Sequence, residues 1–173
     1  MANYGVVRTD KMTGTDNRAF LASVKYMGAG TTETAIENGN VVLTDGLLDT
    51  TNKGGREVYK GKTPAANSPL KDILLIATPE VVYDNKGNTE LKDFRNEAGE
   101  ICRGYFLHDK DIFSVTKAAL DGASSPAIGN IVELKAGTKL NVVESLTASS
   151  TQVGKIIDIN VVGAYTYYAI QVG

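Results

Sequence analysis

Residues 153–172 read VGKIIDINVVGAYTYYAIQV, two β-forming runs separated only by Gly163 and Ala164. A two-residue connection with Gly first fits a type II′ turn, because Gly takes the positive φ freely and the turn's twist matches that of the flanking strands. That turn predicts a register: Val162 opposite Tyr165, Val161 opposite Thr166, Ile159 opposite Tyr168 and Ile157 opposite Ile170. Side chains alternate across a strand. One face therefore collects Ile157, Ile159, Val161, Tyr168, Ile170 and Val172 and is expected in the core. The other collects Asp158, Asn160, Tyr165, Tyr167 and Gln171 and is expected to meet water or a partner.

Upstream of this hairpin, short apolar runs alternate with turn residues. Asn38-Gly39 predicts a hairpin between 34–37 and 40–44, and Lys135 to Thr138 a four-residue hairpin loop between 131–134 and 139–143. Ile73 to Ala77 is an unbroken apolar run that suits a strand buried on both faces. Residues 101–107 read as another strand, and Thr116 to Asp121 as a helix of one or two turns stopped at Gly122. No helical pattern of length separates the strands. The fold is therefore expected to be mainly β, an antiparallel barrel or sandwich of about nine short strands with at most one or two short helices. Residues 1–30 have little apolar periodicity outside Phe20, Leu21, Val24, Tyr26 and Met27, and read as an extended N-terminal arm before a single β-rich domain at 31–173. A short strand or helical turn at 19–27 fits within that arm, and the alternative is that the segment is simply the first strand of the domain with a frayed end.

Composition narrows the chemistry. A chain of 173 residues with one cysteine, Cys102, and one histidine, His108, has no internal disulfide and no Cys/His zinc cluster. The formal charge of -2 gives no footprint for nucleic acid. The opening residues carry no apolar run of signal-peptide length and no window reaches a membrane span, so neither secretion by a signal peptide nor a membrane partner is expected. His108, Asp109 and Asp111 have the chemistry of ligands and proton carriers, but Asp and Lys between two apolar runs are what a solvated turn uses. Asp93, Glu97 and Glu100 likewise flank Asn96 and Gly99 in a turn, and Gly28 to Gly30 lacks the Lys and Ser/Thr of a phosphate loop. Cys102 alternates with Gly104 and Phe106 and reads as a small buried hydrophobe. No catalytic, cofactor or metal site is expected, nor a small-molecule substrate.

Five stretches carry a resemblance: MANYGVVRTDKMTGT from residue 1, EVYKGKTPAANSPLKDILLIATPEVVYD from 57, GEICRGYFLHDKDIFSVTKAAL from 99, GNIVELKAGTKLNVVE from 129 and the closing hairpin. In texture and order they resemble the head decoration, or cement, proteins of tailed bacteriophages that infect Gram-positive bacteria. The resemblance implies a structural virion protein, made in the host cytoplasm, that sits on the capsid exterior and stabilises contacts between capsomers. Its partners would be the major capsid protein and further copies of itself, as a trimer or other homo-oligomer. The contact residues expected on this reading are Tyr4, Val6, Val7, Phe20, Leu21, Tyr26 and Met27 in the arm, with Tyr165 and Tyr167 on the hairpin. Competing readings are another virion part, such as a head fibre base or tail protein, and a carbohydrate-binding sandwich with Tyr165 and Tyr167 stacked on sugar.

Overall fold

The computed structural model describes residues 3–12, 20–48, 57–80 and 91–173. Among them are eleven strands rather than about nine. The first five, β1 Leu21–Tyr26, β2 Val41–Leu47, β3 Val58–Lys62, β4 Ile73–Ile76 and β5 Cys102–Phe106, close into a barrel in the order β1-β3-β2-β4-β5. The other six are β6 Ile112–Thr116, β7 Leu120–Gly122, β8 Ile131–Glu133, β9 Leu140–Val143, β10 Gln152–Val162 and β11 Tyr165–Val172, in the order β6-β11-β10-β8-β9-β7. The protein is mainly β as expected, but it has two sheets, and neither is wholly antiparallel. A ring of five strands cannot alternate direction throughout, so one parallel seam is obligatory, and it falls at β1–β3. The second parallel pair is β7–β9.

The second sheet curls strongly. Its two edges, β6 and β7, are joined only by the 3-10 turn Lys117–Ala119, which replaces the predicted helix. Four Cα steps from Thr116 to Leu120 span at most about 14 Å at roughly 3.3–3.6 Å each, so the edges must nearly meet. Ala119 is fully buried in that closure.

The two-sided burial read from Ile73 to Ala77 explains how the layers join. All four residues of β4 are inaccessible to solvent. Leu74 and Ile76 point into the barrel with Val24, Tyr26, Val42 and Cys102. Ile73, Leu75 and Ala77 point the other way, into a larger core shared with Phe113, Val132, Leu140, Val153, Ile156 and Ile170 of the second sheet. The barrel interior is cramped: a Cβ on Gly104 would stand 3.1 Å from Leu74 Cδ1 and 3.3 Å from Val24 Cγ1. Cys102 is buried there, and burial, with Glu100 adding to it, pushes its thiol pKa up to about 12.

Three local expectations turn out differently. The Asn38-Gly39 turn exists, yet 34–37 does not pair with β2. Instead Ile36 exchanges two 2.9 Å backbone bonds with Asn96. The fully buried Asn38 amide spends itself on Thr78, donating from Nδ2 to its carbonyl at 2.8 Å and accepting its N–H at 3.0 Å. A side chain has taken the place of a strand ladder. Second, Leu21–Tyr26 is a barrel strand held by β3 and β5, which is the alternative reading of the expected arm. Third, residues 6–8 run beside β6: Val7 bridges Val115, Thr116 N donates to Val6 O at 3.0 Å, and Arg8 N donates to Ser114 O at 3.0 Å. Residues 13–19 of that segment lie outside the described residues.

Candidate interaction surface

The closing hairpin forms with the predicted turn: Gly163 has φ +60° and Ala164 keeps a negative φ. Val162↔Tyr165, Val161↔Thr166 and Ile159↔Tyr168 pair as read. The register then shifts. Asp158 faces Ala169 and Ile156 faces Ile170, so Ile157 is the extra residue of a β-bulge. Ile156 is consequently buried, whereas Ile157, assigned to the core by strict alternation, is exposed. Ile170 and Val172 are buried as expected, and Ile159 and Tyr168 pack part-buried against the same core. Val161 is the second departure, 68% exposed, because the hairpin has by then run past the end of the core.

This overrun defines the surface. The outer edge of β10 pairs with β8 as far as Lys155, and Ile156 exchanges backbone bonds with the 128–130 loop. From Ile157 to Val162 that edge pairs with nothing among the described residues, a length of about 20 Å at roughly 3.3 Å per residue. On the other side β11 pairs with β6 only from Tyr167 onward. The tip is thus a two-stranded ribbon projecting from the sheet, with Val161 and Val162 exposed on it and Ile157 at its root. Ile128, 62% exposed, lies next to that root because Gly129 N donates to Ile156 O at 2.8 Å. Against these aliphatics the free edge carries one charge, Asp158, so the usual protections of an exposed edge are thin here.

The residues expected to make contacts are distributed differently. Val6 and Val7 are buried against β6, and Tyr26 lies in the barrel core with its hydroxyl 2.8 Å from Thr63 Oγ1. Those three spend their apolar surface inside the molecule. Leu21 is half-buried against the large core, and Met27 is half-buried beside β3, its N donating to Gly61 O at 2.8 Å. Phe20 is half-buried with its ring centroid 3.8 Å from that of His108. Tyr4 is half-buried under the Arg95 guanidinium, 5.6 Å from the ring centroid.

Tyr167 does not face solvent. It is buried, with Arg8 5.4 Å from its ring centroid and Tyr165 at 6.1 Å between centroids. Burial pushes its hydroxyl pKa up against the opposing pull of Arg8. Tyr165, half-buried at the ribbon, remains available in part, but the paired Tyr platform for a sugar is not formed. The residues that sequence reasoning missed are Val161, Val162, Ile157 and Ile128. One signal was present for the three on β10, where the doubled Ile156-Ile157 and Val161-Val162 break strict alternation; Ile128, between Ala127 and Gly129, carried none.

The His108 turn is a turn: Asp111 Oδ2 accepts the His108 N–H at 3.0 Å and Lys110 takes φ +73°. The other acidic turn is closed by Glu100 Oε2 accepting Glu97 N–H at 2.7 Å. The described residues contain no group of three or more His, Cys, Asp or Glu placed to hold a metal, and no helix among them is long and apolar enough to cross a membrane. Compared with protein-family models, with curated proteins and with solved structures, the chain matches none.

Proposed function

We propose that this protein is a structural component of a tailed-phage virion that binds the outer capsid surface and ties neighbouring capsomers together, without catalysing a reaction. Within that reading the β10–β11 ribbon is the gripping element. The observation that supports it is the exposed aliphatic pair at the ribbon tip beside an unpaired strand edge, anchored on a body whose fourth strand is buried on both faces. An edge of this kind adds a strand from a partner through main-chain hydrogen bonds, while the side chains on it supply apolar contact. A capsid repeats one site many times, so a modest contact per copy accumulates into stabilisation of the assembled shell. The sequence resemblance in the five stretches points the same way.

Deleting residues 1–30 is a poor test, because it removes β1 and opens the barrel. The better test mixes purified protein with undecorated shells and compares wild type with Val161→Asp/Val162→Asp. Both positions are exposed, so the unfolding midpoint should hold within the ±0.5 kcal/mol usual for surface changes, while retention on shells falls at least about tenfold, the equivalent of about 1.4 kcal/mol. Retention equal to wild type removes the ribbon from the mechanism. Failure of the wild type itself to bind shells removes the capsid reading.

A further inference from the structure

The free edge of β10 has a defined pattern of main-chain groups and two defined ends. In a two-residue hairpin the residues flanking the turn exchange both main-chain bonds, and bonded and non-bonded pairs then alternate. Val162, Asn160 and Asp158 therefore turn their N–H and C=O toward Tyr165, Tyr167 and Ala169 of β11, while Val161 and Ile159 turn theirs outward. Among the described residues those outward groups meet no main-chain partner. The 128–130 loop, bonded to Ile156, closes the edge at its root, and the Gly163-Ala164 turn closes it at the tip.

One antiparallel arrangement about a two-fold axis uses all of the outward groups. With the axis at Asn160, Ile159 exchanges both main-chain bonds with the partner's Val161, and Val161 with the partner's Ile159. These side chains lie on one face, so half-buried Ile159 and Val161, 68% exposed, gain apolar neighbours from the second copy. On the other face Asn160 meets its own counterpart in a non-bonded pair, Cα atoms about 4.5 Å apart, where one amide can donate and the other accept. Asp158, the only charge on the edge, stands opposite the partner's Val162. The two Asp158 carboxylates are thereby about 13 Å apart at roughly 3.3 Å per residue, beyond the Debye length of about 8 Å at physiological salt. The lengths also match. The partner's Gly163 arrives opposite Ile157, and its tip lands beside Ile128, 62% exposed at the root. With the axis one residue nearer the root, the partner's Val162 would need the place beside Ile156 that the 128–130 loop holds.

We propose that two copies of this protein pair through their β10 edges in this register, as a two-fold dimer with one sheet continuous across both. The inference rests on the shell reading only in that it names what the ribbon edge adds, a second copy, whose joined body can reach a neighbouring capsomer; the dimer itself needs no shell. A contact one strand wide falls at the low end of specific interfaces, under about 1,200 Å², so dissociation is expected in the micromolar range.

Sedimentation of the full-length protein between about 1 and 500 µM tests it, the mass rising from 18.4 kDa toward twice that. Asn160→Asp brings two carboxylates together on the axis; because Asn160 is exposed, the unfolding midpoint should hold while dimerisation weakens at least about tenfold. Cysteine substitution reads the register. Under oxidised glutathione Asn160→Cys should cross-link, since facing Cβ atoms of a non-bonded pair lie near disulfide reach, whereas Val162→Cys, opposite the partner's Asp158, should not; Cys102 is buried and does not compete. A mass of 18.4 kDa at every concentration, dimerisation of Asn160→Asp equal to wild type, or cross-linking of Val162→Cys equal to Asn160→Cys overturns the proposal. Wild type that binds shells but stays monomeric refutes this inference alone, and a dimer that ignores shells refutes the capsid reading alone.

Discussion

Glu133 allows a quantitative test of how the second sheet is held. Its carboxylate is 1% exposed on β8 yet fully matched: Oε1 accepts Asn141 Nδ2–H at 2.8 Å and Thr147 Oγ1–H at 2.7 Å, and Oε2 accepts Thr147 N–H at 2.8 Å. It thereby ties the crossover after β9 to the strand that β9 pairs with. Glu133→Gln keeps the volume but turns one acceptor into a donor. If the new NH2 faces Thr147 N–H, a bond to a charged group worth about 1.5–3 kcal/mol is lost and a buried donor is left unpaired, at a further cost of about 1–3 kcal/mol. The Thr147 hydroxyl can rotate to soften the other orientation, so the net loss at pH 7 should be about 2–4 kcal/mol.

Acidity supplies the control. Burial pushes the Glu133 carboxyl pKa up, but the Thr147 and Asn141 bonds outweigh it and hold the group below its ordinary 4.5. A carboxyl lowered on folding contributes stability that is complete above its unfolded value and is lost as pH falls through its folded value. The gap between wild type and Glu133→Gln should therefore be constant near neutrality and narrow on acidification below about 4.5. The remaining shifted carboxyls among the described residues, Asp45, Asp121 and Glu80, are common to both proteins and cancel in the difference. Urea unfolding at a series of pH values measures it, as a change in midpoint at constant slope. A loss under about 0.5 kcal/mol at pH 7, the scale of an ordinary surface substitution, or a gap that does not narrow in acid, would refute the account.

Two further outcomes follow from the packing. Leu74→Ala and Leu75→Ala should each cost about 2–5 kcal/mol in urea unfolding, although adjacent, because they open cavities in different cores; a cost at either site below about 1 kcal/mol would mean that strand is not buried on both faces. Cys102, buried and with its thiol pKa pushed up to about 12, should resist an aromatic disulfide reagent at pH 8 until the protein unfolds, and prompt labelling of native protein would contradict its place in the barrel.

Strand alternation, turn chemistry and the run at Ile73 to Ala77 are local properties, and the chain declares them directly: β class, the terminal turn, the β8–β9 loop and a strand with two buried faces. Periodicity states which residues share a face; it does not state what lies over that face. Tyr167 and Tyr165 do share a face, but what covers Tyr167 is Arg8, from a segment bound to β6 across a sequence separation of 110 residues between Val6 and Thr116. The bulge at Ile157 is settled by which isoleucine can reach Ile170 and the core, a choice made between strands and not within one. The parallel seam follows from closing an odd number of strands, which no single strand encodes. Asn38 appears in the sequence as half of a hairpin turn and in the fold as the partner of Thr78, because a buried amide must pair with whatever backbone tertiary packing places beside it.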